Sequence, residues 1–398
     1  MYKNNRDYIY TLFTILFMAP AVNYFIGGIY LAFGLKNPFS QIIYFIIYFC
    51  GFISYFYRIT PQKLAAITIF LLLLCISCYW NPGLFEFLTE EPNLYQSRLI
   101  TFILSVFPIF LISSNNKFNL NNCLNKLYRA TYVTNSMCIA TFSLQIMSGE
   151  GLNEYMAFAY TSLPSIMLGL YFGAKKRDLI GFCLAALAMT TIIFGGCRGA
   201  LFTLVIFILL NFSSLSTKKK IIVSLFTFAL ILIGLTDIFD STTNLLSQYG
   251  YKSRILESFL SNDIENSSGR DLLYAKAFAL IDPFGRGIFS DRILLNHFLD
   301  ATYCHNWIIE MMVDYGYILG SIVVLMIIGC MIYLFSKKTV RDNIDVRFIL
   351  VFGSSLLLGK YMLSNSYLQG ADFAFTIGTV ISIMSKLKHN RFLNATTK

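Results

Sequence analysis

The chain has 398 residues, of which 56% are hydrophobic and only 13% are charged, and its mean hydropathy is +0.63. A soluble chain carries about 25% charged residues, so this composition predicts an integral membrane protein. The formal net charge of +10 does not indicate nucleic-acid binding, because the basic residues lie between apolar runs rather than in one patch. The nine cysteines are scattered without metal-ligand spacing, and no metal or cofactor is predicted.

Apolar runs recur along the whole chain and predict an all-α fold, a polytopic bundle of about twelve transmembrane helices forming one membrane domain over residues 1–398. The first run has no cleavage site and is predicted to remain as a helix. The predicted spans are residues 8–33, 39–56, 64–80, 99–112, 131–147, 155–172, 179–194, 200–212, 221–238, 307–335, 348–363 and 371–384.

The basic residues orient this predicted bundle. If the N-terminus is inside, every inner connection carries Lys or Arg, as the positive-inside rule requires, and both termini are predicted to be cytoplasmic. Basic segments flank residues 179–212 on both sides, so the chain is expected to cross twice between them. The turn between those crossings is then Gly195–Gly199, on the outer side.

The largest polar segment, residues 239–304, follows the ninth predicted span and is expected to form an outer, periplasmic loop. Within it, Asp271–Ile281 has the apolar spacing of a short amphipathic helix. Pro283, Gly285 and Gly287 predict a turn after that helix. No second copy of this loop occurs in the chain, whereas a transporter is expected to show repeated halves.

Histidine is the side chain best suited to take and return a proton near neutrality. His305 directly precedes the tenth predicted span, whereas His297 lies within the loop, so His305 is the favoured general base and His297 the alternative. A plain interfacial position beside an aromatic residue is the other interpretation of His305. Asn306 and Glu310 follow it at helical spacing, with Asp314 one turn further, and predict one polar stripe that faces a cavity.

Several outer cations are candidates for binding an anion. Arg198 lies in the glycine turn, Arg270 begins the predicted loop helix, and Arg286 lies in the turn after it. A guanidinium beside backbone N–H groups suits a phosphate, although a snorkelling or solvated arginine is the alternative at each position. Arg286 and three further outer cations, Arg254, Arg292 and Lys360, are weaker candidates.

In this order, these elements resemble the O-antigen polymerase and ligase superfamily of bacterial membrane glycosyltransferases. The resemblance covers residues 195–320 directly and the remainder only by the number of spans and the single large loop. Cys197 replaces the small polar residue that is commoner in the family before the arginine. The matching residues are Gly196–Ala200, Ser268–Arg270, Pro283–Gly287, His305–Asn306, Glu310, Tyr315–Gly316 and Gly320.

The resemblance implies a GT-C-like bundle in the bacterial inner membrane and an inverting, metal-independent glycosyltransferase that faces the periplasm. Its substrates would be undecaprenyl-diphosphate-linked oligosaccharides. His305 would be the general base, and Arg198 and Arg270 would stabilise the diphosphate leaving group. Asn306, Glu310 and Arg286 would bind substrate together with the two arginines.

Within that family, we expect a polymerase, which transfers the glycan chain to another lipid-linked repeat unit, rather than a ligase, which transfers it to lipid A-core. A flippase or another transporter of lipid-linked oligosaccharides is the alternative from a different class. The expected partners are membrane lipid, a chain-length regulator and a flippase, and no nucleic acid.

Overall fold

The computed structural model describes residues 2–33, 39–56, 60–89, 98–148, 155–194, 197–212, 270–299 and 303–388, which are helical apart from short turns and loops. The helices are α1 (Tyr2–Ala32), α2 (Phe39–Phe56), α3 (Pro61–Trp80), α4 (Leu84–Thr89), α5 (Arg98–Thr101), a π-helix (Phe102–Val106), α6 (Phe107–Ser113), α7 (Leu120–Ser148), α8 (Tyr155–Lys176), α9 (Leu179–Phe194), α10 (Arg198–Phe212), α11 (Arg270–Ala279), α12 (Ser290–Leu299), α13 (Trp307–Ser336), α14 (Lys338–Arg341), α15 (Ile344–Leu358), α16 (Lys360–Leu363) and α17 (Ala371–Lys388).

Every predicted span within the described residues coincides with a helix or with consecutive helices. Four segments are long and apolar enough to cross a membrane, and several further apolar helices are shorter. The number of crossings therefore stays a prediction. The helical, membrane-type architecture is supported by these apolar helices. The ninth predicted span, residues 221–238, lies outside the described residues. The four long segments are Tyr8–Tyr30, Pro61–Trp80, Trp307–Ser336 and Ile344–Leu363.

The chain divides into two compact units. The first unit comprises Met1–Phe17, Gln41–Lys126 and Ser267–Lys398, and the second comprises Met18–Ser40 and Leu127–Asn266.

In the first unit, α17 packs against α6 and α15 at positions where small residues allow close approach. A Cβ on Gly378 would collide with Ser113 of α6, and one on Gly353 would collide with Thr376 of α17. This close packing of small residues is typical of helices in lipid, which lack a hydrophobic drive to associate.

In the second unit, α8 and α9 form a tight antiparallel pair joined by a short turn. The Asp178 carboxylate in that turn accepts hydrogen bonds from Tyr128 OH at 2.5 Å, from Tyr132 OH, and from the Gly181 N–H at 3.1 Å. The hydrogen bonds from Tyr128 and Gly181 lower the pKa of Asp178. A carboxylate at the start of α9 also suits the positive end of the helix dipole.

The described part of the large loop contains two short helices. The helix predicted at Asp271–Ile281 is confirmed as α11, and the turn predicted from its Pro and Gly residues follows at 282–287. The second helix, α12, was not predicted. Residues 239–269 and 300–302 of this loop lie outside the described residues.

Candidate functional site

Helix α13 is interrupted at Gly316, where φ is 78° and ψ is 163°, a conformation open essentially only to glycine. We call Trp307–Tyr315 the first arm and Tyr317–Ser336 the second arm. The tenth predicted span, residues 307–335, therefore contains two helical arms. The second arm alone has 20 residues, which is about 30 Å at ~1.5 Å per residue and enough to cross the hydrocarbon core.

The two arms fold towards one another. A Cβ on Gly320 would lie 2.7 Å from the carbonyl oxygen of Met311. In a straight helix these two residues would be about 13 Å apart along the axis, at ~1.5 Å per residue. The first arm therefore does not extend the span but doubles back beside its beginning.

The turn after α11 satisfies the backbone groups that the interruption frees. In a continuous helix, the Tyr317 N–H would donate to the Val313 carbonyl. Instead, the Tyr317 N–H donates to the Asp282 carbonyl at 2.9 Å, and the Val313 carbonyl accepts from the Arg286 N–H at 3.2 Å. The Asp314 carbonyl accepts from the Gly287 N–H at 2.8 Å. Irregular backbone inside a membrane protein needs such protein partners, because lipid offers none.

Two glycines allow the turn after α11 to approach the interruption of α13 closely. Gly285 and Gly316 both have positive φ, 75° and 78°, and a Cβ on Gly285 would lie 2.2 Å from the Gly316 nitrogen. The Asp282 carboxylate holds the turn by accepting from the N–H groups of Phe284 at 3.0 Å and Gly285 at 2.5 Å. The Pro-Phe-Gly-Arg-Gly and Asp-Tyr-Gly motifs, far apart in sequence, are thus the two halves of one backbone junction.

The polar stripe of the first arm faces a fully buried guanidinium. Arg292 of α12 has no exposed side-chain surface, and its Nη1 lies 2.5 Å from Asp291 Oδ1 and 3.0 Å from Glu310 Oε1. Its Nη2 donates to Ser366 Oγ. The stripe was predicted to face a cavity, but Glu310 and Asp314 are 0% and 1% exposed and contact protein side chains instead.

The loop before α17 completes this group. Ser366 Oγ donates to Glu310 Oε1 at 2.5 Å and the Tyr367 N–H donates to Glu310 Oε2 at 3.2 Å. Asp314 accepts from Tyr367 OH at 2.8 Å and from Ser290 Oγ at 3.2 Å. Burial, followed by the Asp314 charge, raises the pKa of Tyr367 well above its ordinary value. We call Asp291, Arg292, Glu310, Asp314, Ser366 and Tyr367 the Arg292 cluster.

Carboxylate oxygens of Asp291, Glu310 and Asp314 lie within 4.8 Å of one another. Such oxygens are the ligands that a hard cation would use. Two of the three carboxylates, however, already bind the Arg292 guanidinium, which supplies the positive charge at their centre. The cation that these carboxylates bind in this structure is therefore the Arg292 guanidinium.

The segment that carries His305 is held on both sides. Before it, the Cys304 N–H donates to Asp291 Oδ2 at 3.2 Å, and Tyr303 OH donates to the Ser364 carbonyl at 2.6 Å. After it, Asn306 caps the first arm, its Oδ1 accepting from the N–H groups of Ile308 and Ile309 at 3.0 and 3.3 Å. Burial is also the largest influence on the Cys304 thiol and raises its pKa well above the ordinary value.

His305 itself has a φ of 54°, a left-handed conformation that few residues other than glycine adopt. Its ring lies 4.1 Å from the Tyr303 ring, centroid to centroid, with an interplanar angle of 40°. The side chain is half-buried. A strained backbone held by fixed neighbours is typical of residues whose exact orientation matters.

The other predicted site residues are distributed as follows. Arg270 is the first residue of α11 and belongs to the first unit, whereas Arg198 is the first residue of α10 and belongs to the second. Both side chains, and that of His297, lie outside the described atoms. Arg286 is exposed in the turn and pairs with Asp282 at 3.4 Å. Glu310, predicted as a partner of substrate or of His305, has both carboxylate oxygens engaged within the Arg292 cluster.

Sequence reasoning undervalued two cations. The sequence places Arg292 and Lys360 among the weaker outer candidates, but both are buried, and Lys360 Nζ lies 2.7 Å from Asp372 Oδ2. The available signal for Arg292 was its adjacency to Asp291 within a short apolar helix. For Lys360 the signal was a lone cation at the end of an apolar run, which requires a partner in lipid.

An apolar cavity of about 430 Å³ lies in the first unit between the π-helix, α6, both arms of α13 and α17. Tyr315 and Tyr367 line it, together with aliphatic and aromatic side chains such as Phe107, Met326 and Ile377. Because Tyr367 also bonds Asp314, the cavity reaches one edge of the Arg292 cluster.

Comparison with known proteins gives no further identification, since the chain matches no family model, no curated protein and no solved structure.

Proposed function

We propose that the protein is an inverting, metal-independent glycosyltransferase of the bacterial inner membrane that polymerises lipid-linked oligosaccharide repeat units. The observation that carries the proposal is His305. It is a half-buried histidine in a left-handed backbone conformation, fixed between a pinned Cys304 and a capping Asn306. An imidazole in a fixed place suits a general base.

In the proposed reaction, His305 takes the proton from the acceptor hydroxyl as its oxygen attacks the anomeric carbon of the donor. The bond from that carbon to the diphosphate oxygen breaks with inversion, and the polyprenyl diphosphate leaves. Its growing negative charge needs cations, and Arg270, in the same unit as His305, is the proposed partner, while Arg198, in the second unit, stays a prediction from the sequence. A lipid diphosphate is the activated donor suited to the outer face of a membrane, where nucleotide sugars are absent.

The packing of α11 supports a role for Arg270. Leu273 and Ala277 of α11 share one apolar cluster with Cys304 and with Ile309 of the first arm. At its other end, the chain after α11 joins the Gly316 interruption through the bond between Tyr317 and Asp282. A parallel course of α11 along the first arm accounts for both contacts and brings the first residue of α11 towards the end of the arm that follows His305.

The apolar cavity supports a lipid-linked substrate. Its lining is almost entirely aliphatic and aromatic, and it reaches Tyr315 and Tyr367 at the edge of the Arg292 cluster. A cavity of this size and lining suits hydrocarbon rather than a free sugar. The sugar-bearing diphosphate would then lie at the polar end, beside the first arm.

A second candidate is a transporter of lipid-linked oligosaccharides. The interruption of α13 favours it, since transporters use broken helices at their binding sites. Against it, the backbone freed at Gly316 is paired with the 282–287 turn rather than open to a substrate.

Deletion of the gene in its host separates these functions through the surface glycan. Loss of a polymerase leaves lipid A-core with a single repeat unit, which is the expected result. Loss of a ligase leaves unsubstituted core with lipid-linked polymer, and loss of a flippase leaves repeat units on the cytoplasmic leaflet. Either of these two outcomes contradicts the polymerase.

The histidine is tested by complementing the deletion with His305→Ala and, as a matched control, His297→Ala. We expect no polymer from His305→Ala at normal membrane level and near-normal polymer from His297→Ala. The reverse result would move the base to His297. Polymer from both variants would remove histidine from the reaction.

A further inference from the structure

The Arg292 cluster has no role in the proposed chemistry, since none of its charged side chains is accessible. The side chains of Arg292 and Asp291 are 0% exposed, so neither can touch a substrate in this structure. Burying a cation with three carboxylates is expensive and is weak evidence for stability alone. The cluster's position beside the His305 segment suggests what it does.

Arg292 connects the elements that surround His305. Its guanidinium bonds Asp291 on its own helix and Glu310 on the first arm, and it donates to Ser366 in the loop before α17. Its Cζ also lies 6.0 Å from the centre of the Tyr303 ring. Three separate segments therefore have their relative places set by one planar group with fixed donor directions.

Asp291 connects Arg292 to the backbone next to His305. One carboxylate oxygen binds Arg292 at 2.5 Å, and the other accepts from the N–H of Cys304 at 3.2 Å. Cys304 directly precedes His305, whose left-handed backbone is unfavourable unless its neighbours hold it. On the far side, Glu310 anchors the first arm to Arg292 just beyond the Asn306 cap.

We propose that Arg292, acting through Asp291, is a positioning residue that sets the orientation of the His305 imidazole. The catalytic importance of that orientation rests on the proposed function, whereas the structural effect of Arg292 on His305 does not. Arg292 contacts no reactant and moves no proton.

The first test measures His305 directly, in the full-length protein in lipid nanodiscs. Diethyl pyrocarbonate modifies neutral imidazole, and mass spectrometry of the peptides reports its rate at each histidine. In Arg292→Gln we expect the His305 rate to rise several-fold and the His297 rate to stay constant. A second variant, Asp291→Asn, serves if Arg292→Gln does not fold. It keeps an acceptor for the Cys304 N–H but loses the negative charge that binds Arg292, so we expect a smaller rise in the His305 rate.

The matched control is Asp372→Asn, which breaks another buried ion pair of the same unit, Lys360 with Asp372. It should lower stability without changing the His305 rate. A purely structural Arg292 would behave like Asp372. Unchanged His305 modification in folded Arg292→Gln and Asp291→Asn would overturn the proposal, as would an equal rise in Asp372→Asn.

The second test is kinetic and uses a lipid-linked repeat unit as substrate. Misplacing a catalytic group by about 1 Å can cost ~10²-fold in rate, so we expect kcat of Arg292→Gln to fall by ~10²-fold with KM within about twofold of wild type. Arg292→Lys, which keeps the charge, should recover part of kcat. If kcat falls only in proportion to the amount of folded protein, each folded molecule is as active as wild type, and this result would contradict the positioning role.

The two proposals fail differently. If wild-type protein makes no polymer but His305 still responds to Arg292→Gln, the positioning stands and only the polymerase is rejected. If wild-type protein makes polymer while the His305 rate ignores Arg292, the positioning is rejected and the polymerase stands.

Discussion

The two arms of α13 belong to one apolar run in the sequence but have different surroundings. The first arm is buried along most of its length and carries Glu310 and Asp314 towards the Arg292 cluster. The second arm exposes large apolar side chains, among them Ile322, Leu325 and Met326. The first arm is surrounded by protein and the second has the surface of a lipid-facing span, which shows that hydropathy alone does not distinguish a span from a helix doubled back into the protein.

The largest effect should follow from removing the junction between the arms. Gly316→Ala forces a Cβ within 2.4 Å of the Pro283 carbonyl oxygen, and the backbone conformation alone costs ~1–3 kcal/mol for a residue other than glycine. We expect loss of folded protein, measured as a collapse of the monodisperse peak in detergent. The control is Gly329→Ala in the second arm, where a Cβ meets nothing within 4 Å, and wild-type behaviour of Gly316→Ala would reject the junction.

The next effect concerns the charge beneath the first arm. Arg292→Met leaves buried carboxylates without their cation, and breaking a buried pair in this way costs ~3–5 kcal/mol of unfolding free energy. The exposed arginine of the turn is the comparison, since Arg286→Met removes a surface pair worth only about 0–1 kcal/mol. Thermal unfolding in detergent measures both. Similar losses for the two variants would contradict the burial of Arg292.

A smaller effect should follow from the cap of the first arm. Asn306→Ala leaves two N–H groups of that arm unpaired and should cost ~0.5–2 kcal/mol in unfolding free energy. Asn343 caps α15 in the same way, accepting from Asp345 and Val346 at 3.1 Å each. Asn343→Ala is therefore a matched control of stability that leaves the His305 segment intact. We expect both to lower Tm, and a loss of polymer only from Asn306→Ala.

The last prediction is that Cys304 does not react with a thiol-labelling reagent in the folded protein. Burial raises the pKa of this thiol, so the thiolate that alkylating reagents attack is depleted at every pH below the raised pKa. Raising the pH from about 7 to 9 should increase the labelling of an accessible thiol, whose ordinary pKa is ~8.5, but should not increase the labelling of Cys304. Peptide mass spectrometry after maleimide treatment measures this. Labelling of folded wild-type protein at Cys304 would show that the His305 segment is open to solvent.

Much of the helical framework could be predicted because it depends on local pattern. The ends of α2 and α9 agree with the predicted spans, and α11 lies where apolar spacing placed it. These features follow from the length of an apolar run and from the residues that interrupt it. The turn after α11 could be predicted for the same reason, since Pro and Gly limit the backbone locally.

The candidate site was predictable only in part. His305 and the stripe of Asn306, Glu310 and Asp314 could be found from their position beside an apolar run. The interruption at Gly316 could not, because a glycine inside an apolar helix is common in membrane proteins and becomes a break only when another backbone docks on it. The Arg292 cluster was also missed, because a loop arginine is ordinarily solvated.

The sequence by itself determined that this is a helical membrane-type protein, since composition and periodicity act along neighbouring residues. Tertiary structure decided which charges are buried and which part of α13 resembles a lipid-facing span. Arg292 meets Ser366 across 74 positions of the chain, and Asn81 donates to the Arg286 carbonyl across 205. Contacts between such distant residues depend on the whole packed unit, which no local pattern contains.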